Sequence, residues 1–369
     1  MYFNEVKKNF GFGCMRLPMK ENEVDLEQFK QMIDIYMEEG FNYFDTAHGY
    51  LGGKSELAIC EALVKRYPRD SYILTNKLTD NCFTTEEDIR PFFESQLKLC
   101  GVESFDFYLM HAQNARNFEK YKATKAYETA FQLKAEGKIK HVGISFHDQA
   151  KVLDKILSTY PEIEVVQIQL NYLDYEDPGV QSRLCYEVAR RHNKPIIVME
   201  PVKGGRLVDL PSEALEVFSS LGNSSLASYA IRYAASFEGI FMVLSGMSDL
   251  AQMKDNLSYM KDFQALETEE YKAVEQVRQI LLKQNMISCT SCAYCVSGCP
   301  KDIPIPLIFS DYNTKLKYKD WNSKYYYGIH THNHGKASDC ISCGKCEAVC
   351  PQKLPIRKLL LQVGKELES

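Results

Sequence analysis

One cysteine spacing occurs twice near the C-terminal end of this 369-residue chain. Two runs of four cysteines share the pattern C-x2-C-x2-C-x3-C-P. The first run is Cys289, Cys292, Cys295 and Cys299, and the second is Cys340, Cys343, Cys346 and Cys350. Four soft thiolates at these intervals are typical of the ligands of a cubane iron–sulfur cluster. The spacing therefore predicts two [4Fe–4S] clusters, around which this part of the chain must wrap.

The same spacing predicts which cysteines share a cluster. In bacterial two-cluster ferredoxins, the fourth cysteine of each run, beside the proline, ligates the other cluster. Cys299 would then serve the second cluster and Cys350 the first, so both runs would form one folded unit. Zinc is the alternative metal. Structural zinc sites, however, pair two C-x2-C knuckles across a longer gap, whereas each run here packs four cysteines into eleven residues.

The other five cysteines are scattered singly among apolar residues. They are Cys14, Cys60, Cys82, Cys100 and Cys185. A lone thiol in such surroundings usually acts as a small buried hydrophobe. The first residues lack the apolar core of a signal peptide, and no apolar run is long enough to span a bilayer. We therefore expect a cytoplasmic protein without disulfides and without a membrane partner.

Composition indicates a folded chain of more than one domain. Hydrophobic residues make up 45% and charged residues 25%, with a formal net charge of −5, which is typical of globular proteins with a substantial core. No basic stripe is visible, so we expect no nucleic-acid partner. The change in composition at the first cysteine run predicts two domains, residues 1–286 and residues 287–369.

Short apolar segments alternate with helical patterns before residue 286. The predicted strands are Phe10–Met15, Phe41–Asp45, Tyr72–Lys77, Phe105–His111, Ile139–Ser145, Glu164–Gln169, Pro195–Met199 and Ile240–Ser245. Predicted helices include Asp25–Glu39, one that begins near Ser55, and Thr268–Leu282. Eight strands that alternate with helices over about 250 residues are typical of a (β/α)8 barrel of parallel strands. A doubly wound α/β sheet is the alternative, because periodicity alone does not give the topology.

Polar residues lie at the ends of three predicted strands. Asp45 closes the second strand, Lys77 the third and His111 the fourth, and Tyr50 follows Asp45 after five residues. In a barrel, all of these side chains would emerge at the C-terminal face of the strands, where active sites lie. The pattern therefore predicts one site that contains all four residues.

This ordered set resembles the catalytic tetrad of the aldo/keto reductase family. The resemblance covers most of residues 9–260. It also includes the fragments Phe44-Asp45-Thr46-Ala47, Gly53-Lys54-Ser55-Glu56-Leu57, Thr75-Asn76-Lys77 and Gly143-Ile144-Ser145. With its two cysteine runs, the chain is similar to the iron–sulfur branch of that family, in which a small, largely helical ferredoxin-like domain follows the barrel. The resemblance implies an oxidoreductase that reduces a small carbonyl compound with NAD(P)H.

The chemistry of such a reduction explains these residue types. Hydride transfer to a carbonyl leaves an alkoxide that must receive a proton, and Tyr50 would donate it. We expect the Lys77 ammonium to lower the tyrosine pKa from its usual value of about 10. Asp45 would keep Lys77 charged, and His111 would hydrogen-bond the substrate oxygen.

The resemblance also implies how the dinucleotide binds. Ser145 and Gln167 would hold the nicotinamide carboxamide, and Met199 would cover the ring, where the family usually has an aromatic side chain. The expected phosphate and adenine contacts are Gly204, Gly205, Gly246, Asp255 and Asn256. The usual basic partners of a 2′-phosphate fall at Gly246 and Gln252, which are not cationic. We therefore expect no strong preference for NADP(H) over NAD(H).

The combination of the two halves allows three interpretations. In the first, the clusters relay single electrons from a ferredoxin or flavodoxin to a bound substrate or cofactor. In the second, the clusters are structural or oxygen-sensing parts of an ordinary nicotinamide reductase. In the third, the chain is a nucleotide-binding redox sensor. The tetrad argues against the third interpretation, because a sensor does not need Tyr50 beside Lys77.

The cysteine runs lead to a prediction about metal content. After anaerobic reconstitution we expect about eight iron and eight sulfide ions per chain, because each run holds one cubane. Cys292→Ser should lose one cluster and destabilise the small domain, since metal binding there contributes folding free energy. Iron and sulfide analysis tests this prediction. Stoichiometric zinc without visible absorbance would contradict it.

Overall fold

The computed structural model describes residues 2–222, 224–284, 286–318 and 322–368, and the chain forms two compact units. The first unit contains the residues up to Glu176, Gln181–Pro201 and Ala227–Glu267. The second contains Asp177–Val180, Val202–Leu226 and the residues from Thr268 onward. Residues 202–226 and 268–286, which the sequence assigned to the barrel domain, thus cluster with the cysteine runs. The domain boundary between residues 286 and 287 stays a prediction.

Eight parallel strands form a closed barrel in the first unit. They are β1 (Phe10–Gly13), β2 (Tyr43–Asp45), β3 (Ile73–Leu78), β4 (Phe105–Gln113), β5 (Ile139–Phe146), β6 (Val165–Gln169), β7 (Ile196–Met199) and β8 (Ile240–Ser245). Each strand pairs with its neighbour in sequence, and β1 pairs with β8 to close the barrel. The predicted (β/α)8 fold is confirmed, and the doubly wound alternative is wrong. A two-stranded hairpin, Met19–Lys20 with Glu23–Val24, follows β1.

Helices connect the strands and continue into the second unit. They are α1 (Leu26–Glu38), α2 (Lys54–Ile59), α3 (Ile89–Cys100), α4 (Ala115–Ala123), α5 (Ala126–Ala135), α6 (Ala150–Thr159), α7 (Ser182–Arg191), α8 (Ser212–Ser219), α9 (Leu226–Ala235), α10 (Leu250–Met260), α11 (Thr268–Lys283), α12 (Ile305–Tyr318), α13 (Asn322–His330), α14 (Lys345–Ala348) and α15 (Ile356–Leu367). None of the helices in the described ranges is long and apolar enough to cross a membrane.

Helix α1 shows how local sequence sets an element. The Asp25 side chain accepts a hydrogen bond from the Gln28 backbone N–H and caps the first turn. One face buries Phe29 and Tyr36 with Met32 and Ile33 between them, and each buried side chain contributes about 1.5–3 kcal/mol. The helix ends before Gly40, whose φ of +82° suits glycine. The predicted helix over Asp25–Glu39 is therefore confirmed.

A glycine in β5 lets the barrel strands pack closely. A Cβ on Gly143 would lie 2.4 Å from Val165 Cγ1, 2.7 Å from Leu109 Cδ2 and 2.7 Å from the Val165 carbonyl oxygen. The carbonyl belongs to the neighbouring strand β6, so it has little freedom to move away. Gly143 therefore makes room for the side chains of the barrel interior.

The second unit has its own small hydrophobic core around the cysteine runs. Helix α12 follows the first run, and α15 follows the second, as the repeat predicted. The buried apolar residues of this core are Ile287, Ile303, Ile305, Ile308, Phe309, Tyr312, Tyr327, Ala337, Ile356, Leu360, Val363 and Leu367. Three of the eight motif cysteines, Cys295, Cys346 and Cys350, are buried in the same cluster. The core is thus built around the thiols.

We predict that Gly143→Ala destabilises the barrel by about 3 kcal/mol, because overpacking a tight core typically costs 1–3 kcal/mol and a backbone carbonyl lies in the way. Urea unfolding followed by circular dichroism measures this free energy. The control is Gly49→Ala, since Gly49 has a φ of −78° and nothing lies within 4 Å of an added Cβ. Equal stability of the two variants would contradict the packing argument.

Candidate active site and cluster cavities

A buried ion pair joins the ends of strands β2 and β3. Lys77 Nζ donates to Asp45 Oδ1 at 2.6 Å and to the Thr46 carbonyl oxygen at 2.8 Å. The side chains of Lys77 and Asp45 are 1% and 4% exposed. The third contact of the same ammonium is the Tyr50 hydroxyl at 3.2 Å. Lys77 therefore bridges the carboxylate and the phenol, as the sequence pattern predicted.

His111 completes the group at the end of β4. Its ring lies edge-on to the Tyr50 ring, with centroids 6.1 Å apart. Nδ1 of His111 shares a hydrogen bond of 2.8 Å with the hydroxyl of Thr79. If the hydroxyl donates this bond, the ring proton sits on Nε2, which can then donate to another group. Sequence reasoning missed Thr79, because a single threonine after a strand carries no motif.

The electrostatics of the phenol differ from the expectation. Burial raises the pKa of Tyr50 well above its usual value near 10, and the carboxylates of Asp45 and Glu200 add to the increase. The expectation that Lys77 lowers the pKa of Tyr50 is not met, because burial, with Asp45 next, raises that pKa. Burial also raises the pKa of Asp45, while Lys77 opposes that increase. Tyr50 is therefore protonated at neutral pH.

A second buried carboxylate, that of Glu56, lies next to the strand that carries Lys77. Glu56 is fully buried, and its carboxylate accepts hydrogen bonds from Asn76 Nδ2 at 2.8 Å and Gln96 Nε2 at 3.1 Å. Its other oxygen pairs with Nδ1 of His48 at 2.8 Å. Asn76 precedes Lys77 in β3, so the network holds the side chain next to the ion pair. Glu56 belongs to a fragment on which the family resemblance rests, but its buried partners were not evident from sequence.

The predicted carboxamide contacts lie on neighbouring strands. Ser145 of β5 and Gln167 of β6 face each other in register, and both are buried. The Ser145 hydroxyl already accepts a hydrogen bond from the Ala112 backbone N–H at 2.8 Å. Two residues beyond Gln167, the amide nitrogen of Gln169 is buried without a hydrogen-bond partner in the described structure. Gln169 is thus a further donor that sequence reasoning did not include.

The last residue of β7, Met199, is half-buried and pairs in register with Gln169 of β6. Met199 is followed by Glu200, which has a φ of +57°, an uncommon conformation for a residue with a side chain. Met199 thus lies at the C-terminal end of the strands, where the expected nicotinamide ring would bind. Its contact with the ring stays a prediction.

The predicted adenine-end residues lie after β8. Asn256 is buried and bonds within the protein, donating to Ser245 Oγ at 2.8 Å and accepting from the Tyr259 hydroxyl at 2.6 Å. Asp255 beside it is half-buried. A Cβ on Gly246 would lie 3.3 Å from Cβ and 3.5 Å from Cδ of Arg16, so the aliphatic part of the Arg16 side chain packs beside this position. The expectation of no strong preference for NADP(H) stays a prediction.

The glycines Gly204 and Gly205 lie in the second unit. A Cβ on Gly204 would be 2.6 Å from the carbonyl oxygen of Thr290, within the first cysteine run. Gly204 therefore has a structural reason to be glycine that is independent of any phosphate. For Gly205 no atom lies within 4 Å of an added Cβ, although its φ is +98°. Their contact with a dinucleotide stays a prediction.

Two cavities of the second unit bring the motif cysteines together in the crossed arrangement. Cys289, Cys292 and Cys295 line one cavity together with Cys350. The other cavity is lined by Cys340, Cys343, Cys346 and Cys299. Each cavity thus combines three thiols of one run with the fourth of the other, which fits the expected cubane ligand sets. No three His, Cys, Asp or Glu side chains in the described ranges converge closely enough for a single metal ion.

The scattered cysteines take no part in these cavities. Cys14, Cys100 and Cys185 are buried, whereas Cys60 and Cys82 are half-buried. All thirteen cysteines of the chain carry free thiols. Burial raises the pKa of Cys185 to about 12, so this thiol is protonated at neutral pH. The prediction of small buried side chains holds for three of the five.

The fold and the site define a barrel oxidoreductase with a cysteine-rich second unit, and comparison with known proteins agrees. Residues 9–279 match the sequence model of the aldo/keto reductase family. Residues 288–354 match the model of the 4Fe-4S dicluster domain. The first match covers more than half of the chain, and the chain therefore belongs to the aldo/keto reductase family.

Individual relatives are distant. The NADH-specific methylglyoxal reductase of Escherichia coli (strain K12) is 29% identical over 46% of this chain and 54% of its own length. The 4-dihydromethyl-trisporate dehydrogenase of Mucor mucedo is 37% identical, but the match covers only 27% of this chain and 30% of that enzyme. The chain thus spans about half or less of the length of these two curated relatives.

Solved structures show the same fold. An aldo-keto reductase from Bacillus halodurans in its holo form superposes with a TM-score of 0.60, at 23% identity over 73% of this chain and 92% of that one. An aldo-keto reductase from Klebsiella pneumoniae in complex with NADPH also gives 0.60, at 19% identity over 74% and 95%. At such low identity these similarities support the fold alone.

The histidine environments predict opposite effects of pH on stability. Burial, with Lys77 and His147, holds the pKa of His111 well below 6.5. Unfolded His111 therefore binds a proton that the folded protein excludes, and its contribution to stability falls as the pH drops below about 6.5. When the pH falls from 7.5 to 5.5, we expect the free energy of unfolding to fall by about 1.4 kcal/mol less in His111→Asn than in the wild type. Urea unfolding at both pH values measures the difference.

His141 is the matched control. Burial opposes its protonation, but hydrogen bonds to Glu164 and Glu5 raise its pKa above 6.5. The stability that protonated His141 contributes is present below the pKa of its unfolded state. It is lost as the pH rises through the pKa of its folded state. His141→Asn should therefore lose more stability than the wild type on acidification. The same sign in both variants would contradict these assignments.

Proposed function

We propose that the chain reduces the carbonyl group of a small organic substrate with a nicotinamide dinucleotide, and that two [4Fe–4S] clusters relay single electrons in the same protein. One observation carries the first part. Lys77 joins Asp45 and Tyr50 through hydrogen bonds of 2.6 and 3.2 Å at the C-terminal end of the strands. This arrangement can hold a neutral phenol where a proton is needed.

The tetrad residues have separate roles in this proposal. A bound dihydronicotinamide supplies the hydride. Tyr50 donates its proton to the substrate oxygen as negative charge develops there, and its raised pKa keeps the phenol protonated beforehand. Lys77 holds the phenol in place and stabilises the phenolate that remains. His111, neutral because burial lowers its pKa, donates from Nε2 to the same oxygen.

The remaining site residues would bind the dinucleotide. Ser145, Gln167 and Gln169 offer a hydroxyl and two amides to the carboxamide, and the unpartnered amide nitrogen of Gln169 supports this assignment. Met199 would cover the ring through its thioether. The phosphate and adenine contacts proposed are Gly204, Gly205, Gly246, Asp255 and Asn256. Both NADH and NADPH are proposed as cofactors, since the named relatives and neighbours include users of each.

The cluster part of the proposal depends on the two cavities. Four cysteines line each cavity in the crossed pattern. The polypeptide between β7 and α9 belongs to the same compact unit as these cavities. A ferredoxin or flavodoxin is proposed as the electron donor. Each carbonyl reduced to an alcohol takes up two electrons and two protons.

We predict that Tyr50→Phe lowers kcat by about 10²–10⁴-fold, because general acid catalysis contributes that much, while dinucleotide affinity changes little. Methylglyoxal with NADH is the first assay, chosen from the named relative. Equilibrium titration measures nucleotide binding. The control is Tyr72→Phe, since the Tyr72 hydroxyl is buried without a hydrogen-bond partner. Unchanged turnover in Tyr50→Phe would remove Tyr50 from the mechanism.

The relay predicts a second activity. Reduced methyl viologen should support methylglyoxal reduction without nicotinamide, because single electrons can enter through a cluster. Cys346→Ser should stop this activity and leave NADH-driven reduction in place. Cys82→Ser, outside both cavities, is the matched control. Loss of both activities through unfolding, or no viologen-driven turnover in the wild type, would leave the clusters structural or sensory.

A further inference from the structure

The cavity that contains Cys340, Cys343, Cys346 and Cys299 has one of its thiols at the protein surface. Cys343 is exposed, and it lines the cavity together with the other three cysteines. In the other cavity, by contrast, every cysteine is half-buried or buried. A cluster in the cavity with Cys343 would therefore have a ligand that a docked protein can contact directly.

An apolar side chain lies at the same cavity. Ile341 lines it, directly follows the ligand Cys340 and is 58% exposed. A single exposed isoleucine needs no explanation by itself. Here, however, it shares the cavity with an exposed ligand and with charged residues. Protein interfaces have the same composition, an apolar centre within a polar rim.

Three exposed cations belong to this cavity or flank it. Lys301 and Arg357 are part of the lining, and Lys345 directly precedes the ligand Cys346. Arg357 pairs with the carboxylate of Glu347 at 2.7 Å, which offsets its charge. Lys301 and Lys345 form no ion pair with any residue that the structure describes. These two lysines therefore carry the positive charge of the cavity rim.

Carboxylates close to the rim have other partners. Asp302, next to Lys301, shares a hydrogen bond of 2.6 Å with Nδ1 of His334. Asp339, just before the second cysteine run, accepts a hydrogen bond from the Lys336 backbone N–H at 2.8 Å. Neither carboxylate neutralises the exposed lysines of the rim, whose charge is presented to the solvent.

The negative charge of a cluster does not explain these cations. A cubane with four thiolates is an anion, so nearby lysines could simply balance its charge. The first cavity would hold the same kind of cluster, yet its described lining contains no charged residue. Lys203 contacts that lining through Gln352, but it is 1% exposed and cannot meet a partner protein. Exposed cations thus line one cavity and not the other, although both need the same compensation.

The distribution of charge along the chain indicates what such a rim would attract. Residues 287–369 contain 11 Lys and Arg against 7 Asp and Glu, a balance of +4, whereas the whole chain has a net charge of −5. Complementary charge steers the encounter of two proteins and suppresses the wrong orientations. An acidic protein would therefore be attracted to this rim and repelled by the rest of the chain.

We propose that Lys301, Ile341, Cys343, Lys345 and Arg357 form an entry face that docks a small acidic protein carrying one electron at a time. The inference rests on the electron relay of the proposed function and names the surface through which electrons enter. The carrier is oxidised by one electron, and the cluster behind the entry face is reduced by one. Transient redox complexes bury less than about 1,200 Å² in total, so a small face suffices.

The test is stopped-flow reduction of the anaerobically reconstituted full chain by an acidic ferredoxin that has been reduced and freed of reductant. Raising the ionic strength from about 0.01 M to about 0.15 M shortens the Debye length from about 30 Å to about 8 Å. The second-order rate constant of the wild type should therefore fall by about tenfold or more. A rate constant that salt does not change would overturn the proposal.

Charge reversal locates the face. In the double variant Lys301→Glu with Lys345→Glu, the rate constant at low ionic strength should be about tenfold lower than in the wild type. The matched control is Lys98→Glu with Lys151→Glu, which changes the net charge equally at exposed positions of α3 and α6. It should change the rate constant by less than about twofold. Equal rate constants in the two double variants would overturn the proposal.

Two further measurements keep the result interpretable. Lys345→Glu alone covers a loss of iron in the double variant, because Lys345 is not part of the cavity lining, and it should lower the rate constant by about threefold. Reduced methyl viologen, a small cation that needs no docking, should reduce the clusters of every variant at least as fast as those of the wild type. Slower reduction by viologen would place the defect in the cluster and overturn the docking role.

The remaining outcomes separate this inference from the proposed function. Wild-type dimers that Lys345→Glu disperses in size-exclusion chromatography would assign the entry face to a second copy of the chain and overturn the proposal. Reduction by methyl viologen without any reduction by ferredoxin would refute the docking alone. Absence of clusters in the wild type would refute the proposed function.

Discussion

The buried contact between Lys77 and Asp45 is the interaction on which the active end of the barrel depends. Both side chains are almost fully enclosed, and their atoms lie 2.6 Å apart. A buried charge that loses its partner costs about 3–5 kcal/mol. The pair therefore links the ends of β2 and β3, and it holds the ammonium that contacts Tyr50. Substrate chemistry and local stability depend on the same two residues.

The electrostatic balance of this pair also determines the state of the phenol. Burial penalises the phenolate, and the Asp45 carboxylate repels it, so the pKa of Tyr50 rises instead of falling. A protonated tyrosine suits reduction, in which the enzyme gives a proton to the substrate. The reverse oxidation requires the phenolate, which these surroundings disfavour.

The second unit depends on a different constraint. Its core is small, and three of its buried residues are cysteines of the repeated runs. The thiols of each cavity come from both runs, so neither half can complete its cavity alone. Cluster binding would therefore couple the two halves into one folding unit. The segment after β7 adds a hydrogen bond between Lys203 and Gln352 to this unit.

Sequence reasoning succeeded where a signal was local and periodic. The eight strands were predicted to within a few residues, and Asp25–Glu39 was recognised as a helix from its apolar stripe and from Gly40. The order of Asp45, Tyr50, Lys77 and His111 predicted one site because parallel strands in a barrel end at one face. The cysteine spacing predicted the crossed grouping that the two cavities show.

Other features depended on contacts between residues far apart in the chain. Thr79 beside His111, the amides that surround Glu56, and Arg16 beside Gly246 follow no sequence motif, because folding alone brings them together. The same is true of Lys203 and Gln352, which are 149 residues apart and yet share a hydrogen bond. The sequence by itself determined the barrel, the tetrad and the two thiol sets, since each has a fixed spacing. Only the tertiary structure decided the protonation of Tyr50 and the buried partners of Glu56, because burial and distant partners set both.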